Sequence, residues 1–213
     1  CCFIAEIQET ANLNITGIGH QMARGLRAGV VTNMEAAEQA IMAAITSAEE
    51  MTGATIREVI VNISGGAPSS KIFDVEVPLS RDEIREEDIN RALSEGFSNE
   101  LPEERALIHA IPIGYSIDGS NGIDTPRGMF GHRLGVKIHR ITAMESAVRN
   151  LSVCIERCHL DIQTVVESAY ASGLASLVED EMELGSTLID MGGGTTSIAI
   201  FTEGNVIYTD SIP

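Results

Sequence analysis

The 213 residues carry a formal net charge of -17, with 44% hydrophobic and 21% charged positions. A chain this acidic cannot neutralise a phosphate backbone, which excludes DNA and RNA as partners and disfavours direct electrostatic binding to an anionic membrane surface. Its apolar fraction is enough to bury a core in one large or two small domains, and no apolar run approaches the roughly 20 residues of a membrane span.

Cys1-Cys2-Phe3-Ile4 has no basic leader, so it reads as the start of a strand and not as a signal peptide. The absence of an initiator methionine leads us to expect a fragment or a processed chain. Cys1 to Glu6 is predicted as a strand, Gln8 to Ala11 as a turn, and Asn12 to Gly19 as a second strand with Leu13, Ile15 and Ile18 apolar. Gly17-Ile18-Gly19 with Gly25 and Gly29 makes a poor dinucleotide fingerprint, because no helix opens directly behind Gly19. Gly19 to Val31 is expected to be a loop. Thr32-Asn33-Met34-Glu35 fits a capping box with Thr32 as the N-cap. The helix it starts runs to about Met51, with Ala37, Ile41, Ala44, Ile45 and Ala48 as the buried stripe and Gly53 past its end. Glu58 to Ser64 is expected to be a buried apolar strand, ended by Gly65-Gly66-Ala67-Pro68. Hairpin, helix and buried strand together indicate an α/β fold.

The pattern then changes. Phe73, Val75, Val77 and Leu79 alternate with polar residues, as in a strand with one wet face. A helix follows from about Glu87 to Gly96, then a loop from Phe97 to Arg105 and a strand from Leu107 to Ile117. Asp118 to Gly131 reads as a loop, and Leu134, Val136 and Ile138 mark another strand. This strand–helix–strand–strand unit is inserted in the larger one. The acidic cluster Glu83, Glu86, Glu87 and Asp88 suits a helix start, and it lacks the spacing and central glycine of a calcium loop.

The α/β character returns with a helix from Met144 to Cys158. Cys154 and Cys158 sit one turn apart, and His159 is adjacent. A zinc site would need the distant Cys1-Cys2 pair, and vicinal cysteines ligate one tetrahedral ion poorly, so packed reduced thiols are expected. Ile162 to Val166 reads as a short strand, Ala169 to about Glu179 as a small-residue helix, and Glu179 to Glu183 as a solvated acidic linker. His20, His109, His132, His139 and His159 have no carboxylate or serine at a catalytic spacing, and His109 and His139 read as strand residues.

The stretch richest in chemistry is Asp190-Met191-Gly192-Gly193-Gly194-Thr195-Thr196, between strands from Ser186 to Asp190 and from Ser197 to Phe201. Three consecutive glycines cost backbone entropy that a bare hairpin does not need. They let the backbone approach a ligand closely and aim N–H groups at an anion. Asp190, at the strand end, is placed to hold a hydrated Mg²⁺ beside phosphates. Thr195 and Thr196 add hydroxyls. A glycine-rich hairpin with no ligand is the competing reading. A last strand is expected from Val206 to Ile212.

The order of these elements resembles the actin-like ATPase superfamily, and within it the FtsA family of bacterial cell-division proteins. Asp190 to Thr196 looks like the superfamily's second phosphate motif. The inserted unit looks like the FtsA subdomain called 1C, on the residues Val59 to Gly65, Pro78-Leu79-Ser80, Ala110 to Asp118, Gly128 to Gly131 and His139 to Thr142. Ile15 to Gly19 with Arg24-Gly25 and Gly29 to Val31, and Asn150-Leu151 with Cys154 and Glu156 to Cys158, resemble the flanking strand, its exit loop and the family helix.

The resemblance implies an actin-like (ribonuclease H-like) ATPase fold fragment, α/β, with an inserted α+β SHS2 subdomain. It divides the chain into 1–67 (first part of 1A), 68–142 (1C), 143–183 (second part of 1A and junction helix) and 184–213 (start of 2A). It implies ATP and Mg²⁺ as ligands, with Asp190, Gly192, Gly193, Gly194, Thr195 and Thr196 at the nucleotide and Asp190 reaching Mg²⁺ through water. The first phosphate loop is expected just before Cys1, and the adenosine motif and a membrane-binding C-terminal helix after Pro213, so residues 1–213 alone should bind ATP·Mg²⁺ weakly or not at all. Many superfamily ATPases position water with a Gln or Glu near the junction helix. Glu167 is the nearest carboxylate here, which leaves weak or no hydrolysis as the expectation. The implied role is an adaptor linking the FtsZ ring to the cytoplasmic membrane at the division septum, recruiting other divisome proteins and self-associating into filaments. A PilM-like pilus-assembly scaffold, and a kinase or chaperone-type ATPase of the same superfamily, are the alternatives. The inserted unit argues against the kinases and chaperones.

Overall fold

The computed structural model describes residues 1–7, 13–98 and 101–213, so the turn expected at Gln8 to Ala11 lies outside the described residues. β1 (Cys2–Ile7) and β2 (Leu13–Gly19) pair antiparallel. β3 (Leu26–Arg27) and β4 (Val30–Val31) form a small hairpin within the expected loop. α1 (Met34–Thr52) then packs across β2. The contact is close because a glycine faces an alanine: a Cβ on Gly19 would sit 1.6 Å from the Ala44 carbonyl oxygen.

The N-cap of α1 is Asn33, not Thr32. The Asn33 side chain accepts from the Ala36 N–H at 3.0 Å, while the Thr32 hydroxyl donates to the Gly25 carbonyl at 3.2 Å and closes the preceding loop. Asparagine caps at least as well as threonine, so the loop closure decides the register. At the other end Gly53 takes the left-handed conformation and donates to the Glu49 carbonyl at 2.8 Å, as expected.

β5 (Glu58–Ile63) leads into the inserted unit: β6 (Ser69–Pro78), α2 (Glu86–Phe97), β7 (Arg105–Ile117), β8 (Ser120–Ile123) and β9 (Arg133–Met144). β8 lies inside the segment expected to be a loop, because Asp118-Gly119 turns the chain back onto the end of β7. α2 covers one face of β6 and β9, burying Ile89 and Ala92 against Val75, Val77, Val136 and Ile138. The alternate residues of β9, His139, Ile141 and Ala143, are buried on the opposite face. The unit is bound to its parent at the base. The Met144 N–H donates to the Gly66 carbonyl at 2.8 Å. Arg105 donates to Ala67 O at 2.9 Å, Ser69 Oγ at 2.6 Å and Thr142 O at 2.7 Å, so one guanidinium spans the entering and leaving strands.

α3 (Glu145–Arg157) lies against α1, with Cys154 Sγ 3.6 Å from Met34 Sδ. Cys154 and Cys158 are buried free thiols, pushed up in pKa chiefly by burial. β10 (Asp161–Glu167) pairs parallel with β5. The core of Ile45, Ile155, Cys158 and Leu160 gathers Cys2 from β1, Val59 and Val61 from β5, and Ile162 from β10 under the same helices. β5 was expected to be buried. Instead it is covered on one face only, and Ile60 on the other face is 65% exposed.

α4 (Ser168–Ser176) ends before Glu179. The acidic stretch expected to be a linker is a short helix, α5 (Glu179–Leu184). Its three leading acids, Glu179, Asp180 and Glu181, suit a helix N-terminus, and Glu181 accepts from the Val178 N–H at 3.0 Å. β11 (Ser186–Met191), β12 (Thr196–Thr202) and β13 (Asn205–Ile212) form a meander. They extend the sheet of the inserted unit into seven strands ordered β11-β12-β13-β6-β9-β7-β8. The join between β13 and β6 is the single pair Asp210–Ser69.

Candidate nucleotide-binding cleft

The glycine turn joins β11 to β12. The Gly192 N–H donates to the Thr195 carbonyl at 2.9 Å and closes the hairpin, so this N–H is engaged within the turn and not offered to a ligand. Thr196 pairs with Met191 and Ile212 in the sheet. None of the three glycines lies in the left-handed region. Gly194 approaches the β3–β4 turn, where an added Cβ would stand 3.3 Å from the Ala28 Cα. At Gly193 an added Cβ would meet nothing within 4 Å. Neither backbone conformation nor internal packing therefore requires glycine at position 193.

Gly193 and Gly194 line a cleft of about 940 Å³ with Arg27, Gly29, Asn62 and Ser64. Among the described residues no acidic side chain lines this cleft, and its one cationic side chain is Arg27. A cavity of this size suits a nucleotide-sized ligand, and its charge pattern suits an anion.

Asp190, Thr195 and Thr196 flank the turn but do not line the cleft. The Asp190 carboxylate is half-buried and accepts from the Ser172 hydroxyl of α4 at 2.9 Å. The resemblance also pointed to Glu167. It is fully buried at the N-terminus of α4, where its two carboxylate oxygens accept from the Ala169 N–H at 3.0 Å and the Tyr170 N–H at 2.8 Å. Burial raises its pKa, the two backbone donors oppose that, and Asp190 adds to the rise. Both oxygens are engaged at the start of α4, so in this arrangement the Glu167 carboxylate serves as the helix cap. The Glu167 N–H in turn donates to His109 Nε2 on β7 at 3.0 Å. Burial lowers the His109 pKa, which keeps this nitrogen an acceptor.

His109 and His139 lie on strands, as expected. His139 is fully buried, and neither ring nitrogen has a hydrogen-bond partner. The buried Thr209 hydroxyl of β13 has none either. Burial, then the charge of His109, brings the His139 pKa down to about 4, against a weak backbone contact at Val206. Among the described residues no group of three His, Cys, Asp or Glu could hold a metal ion, and no helix is long and apolar enough to cross a membrane.

Sequence reasoning missed Ser172, Arg27, Asn62 and Ser64. Ser172 sits in a helix whose small residues suggested only close packing, and Arg27 of β3 meets Asn62 and Ser64 at the end of β5 without a shared motif.

Comparison with known proteins adds the family. The SHS2 domain inserted in FTSA matches residues 65–142. The chain is 42% identical over 203 residues to the cell division protein FtsA of Agrobacterium fabrum, covering 95% of this chain and 46% of that protein. It is 39% identical over 210 residues to FtsA of Neisseria meningitidis serogroup B, covering 99% and 51%. Against FtsA of Escherichia coli the identity is 33% over 210 residues, covering 99% and 50%. The chain thus spans about half the length of the curated relatives it matches. Among solved structures, the PilM-PilN type IV pilus biogenesis complex superposes with a TM-score of 0.63 at 15% identity, covering 99% of this chain and 57% of that one, a likeness of fold alone. Over the stretch it spans, the chain belongs to the FtsA family and carries its actin-like fold with an inserted SHS2 domain.

Proposed function

We propose that this chain supplies one jaw of an ATP·Mg²⁺ clamp in a cell-division adaptor of the FtsA kind. In this reading Gly193 and Gly194 present backbone N–H groups to the phosphates, Arg27 adds charge from the facing turn, and Asp190 orients hydrated Mg²⁺. Thr195 and Thr196 shape the turn. The observation that carries the reading is Gly193: among the described residues no atom lies within 4 Å of where its Cβ would go, and it opens on an anion-compatible cleft. A ligand that must touch the backbone accounts for that glycine.

Phosphoryl transfer depends on positioning and charge stabilisation. With Glu167 engaged as a helix cap, the nucleotide acts mainly as a conformational ligand. The whole protein tethers the FtsZ ring to the inner face of the cytoplasmic membrane, recruits divisome partners and polymerises through 1C and 2A, as family membership suggests. The test is Mg²⁺-dependent binding of a fluorescent ATP analogue to the full-length protein and to Gly193→Val. The expected result is wild-type binding that Gly193→Val weakens at least about tenfold, with thermal stability unchanged because the added atoms meet open space. Wild-type affinity in the variant, or no binding by the wild type, overturns the reading.

A further inference from the structure

The elements around α4 meet in an arrangement that the proposed site does not use. At its N-terminus the Glu167 cap receives both ends of a tie: its carboxylate holds the first turn, and its N–H is held by His109 of the inserted unit. Ser168, the first helical residue, accepts from Asn62 Nδ2 at 2.9 Å, and Asn62 lines the cleft. In mid-helix, Gly173 rests on the Phe201 ring of β12, where an added Cβ would be 2.4 Å from Cζ. Tyr170 stacks on the same ring at 6.3 Å and meets the edge of His109 at 5.2 Å. Finally, Ser172 donates to Asp190. A nine-residue helix is a rigid body about 13 Å long, and each of these contacts is short and buried or half-buried. A displacement of β7 against β10 must therefore either break the His109 bond or carry α4 with it.

We propose that α4 is a rigid link between the inserted domain and the nucleotide jaw, with Ser172 as the positioning residue for Asp190 and His109 as the attachment to β7. Partner binding on the inserted domain then changes how Asp190 is presented to Mg²⁺, and Mg²⁺·nucleotide at Asp190 in turn biases the inserted domain, since such coupling is reciprocal. The nucleotide half of this proposal rests on the function proposed above. The mechanical half does not.

The experiment has two arms on the full-length protein. Hydrogen–deuterium exchange without nucleotide compares wild type, Ser172→Ala and His109→Ala. The expected result is a crossed effect: Ser172→Ala speeds exchange in 105–111 of β7, and His109→Ala speeds it in 186–191 of β11. The second arm titrates Mg²⁺ into protein with a fluorescent ATP analogue. Ser172→Ala should raise the Mg²⁺ half-saturation measurably but by less than about tenfold, because Asp190 meets Mg²⁺ through water and Ser172 stands one shell further out. Ser172→Thr should restore it, and the double variant with His109→Ala should be non-additive. Crossed exchange without any ATP binding upholds the link and refutes the site. ATP binding with exchange changes confined to each variant's own element refutes the link and leaves the site standing. Additive effects on Mg²⁺ half-saturation also refute the link.

Discussion

Acidification should destabilise this fold through His139, and the size of the effect follows from its surroundings. The ring is fully buried on β9, with both nitrogens lacking a hydrogen-bond partner, near the Val206 backbone of β13 and the His109 ring of β7. Its folded pKa lies at about 4 against the ordinary 6.5. Between those values the unfolded chain holds a proton that the folded chain refuses, so stability falls as the pH drops, by about 1.4 kcal/mol per unit. The contribution is fully present above the unfolded pKa and is lost as pH falls toward the folded one. From about pH 7.5 to 4.5 the loss is about 2–3 kcal/mol, or roughly 4–12 °C in Tm for a domain of this size. His109, also lowered by burial, adds to the same trend. Glu167 works against it, because a raised carboxylate contributes stability at low pH that is lost as pH rises. His139→Leu isolates the histidine. Urea midpoints measured from about pH 7.5 to 4.5 should show the wild type losing stability relative to the variant as the pH falls below about 6.5, with the gap between them constant above that. Parallel curves for the two proteins would refute the argument.

Three further outcomes follow from packing and hydrogen bonding. Arg105→Ala should cost about 2–3 kcal/mol in urea unfolding, because its hydrogen bonds are charge-assisted, and should open the Ala67–Ser70 segment to limited proteolysis. Gly173→Val should destabilise by at least about 1–3 kcal/mol, since the new atoms collide with the Phe201 ring; a neutral result in thermal unfolding would mean that α4 does not rest on β12. Asn33→Ala should lower stability by about 1 kcal/mol, the usual value of an N-cap. Thr32→Ala should cost less, and the reverse order would reinstate threonine as the cap.

Much of the fold was legible because periodicity and punctuation are local. The alanine stripe of α1, the alternation of β6 and the glycine stop at Gly53 each depend on residues within a turn or two. The misreadings came from distant competition. Thr32 and Asn33 are equally plausible caps until the loop at Gly25 claims the threonine hydroxyl. Ile60 looks buried because it is apolar, yet its exposure depends on which face of β5 the helices cover. The acidic run after Val178 looks solvated, and it is, but as a helix whose N-terminus favours those charges. In the candidate site the glycine turn announced itself through composition. Ser172 and His109 did not, because a hydrogen bond between residues 18 or 58 positions apart leaves no pattern in the chain.

The base of the inserted unit has a consequence for how such a protein can be built. The chain leaves the parent unit at Gly66 and returns at Met144, and the backbones at those two points are joined by one 2.8 Å hydrogen bond. A domain whose ends are neighbours can be added or removed without stretching its host, because the host sees only a closed loop of fixed, small span. Excising the intervening residues would leave two ends that a linker of a few residues could bridge. The module's orientation is then set by the bonds at this neck together with the β13–β6 join and the His109–Glu167 bond, while its own core, under α2, is independent of them.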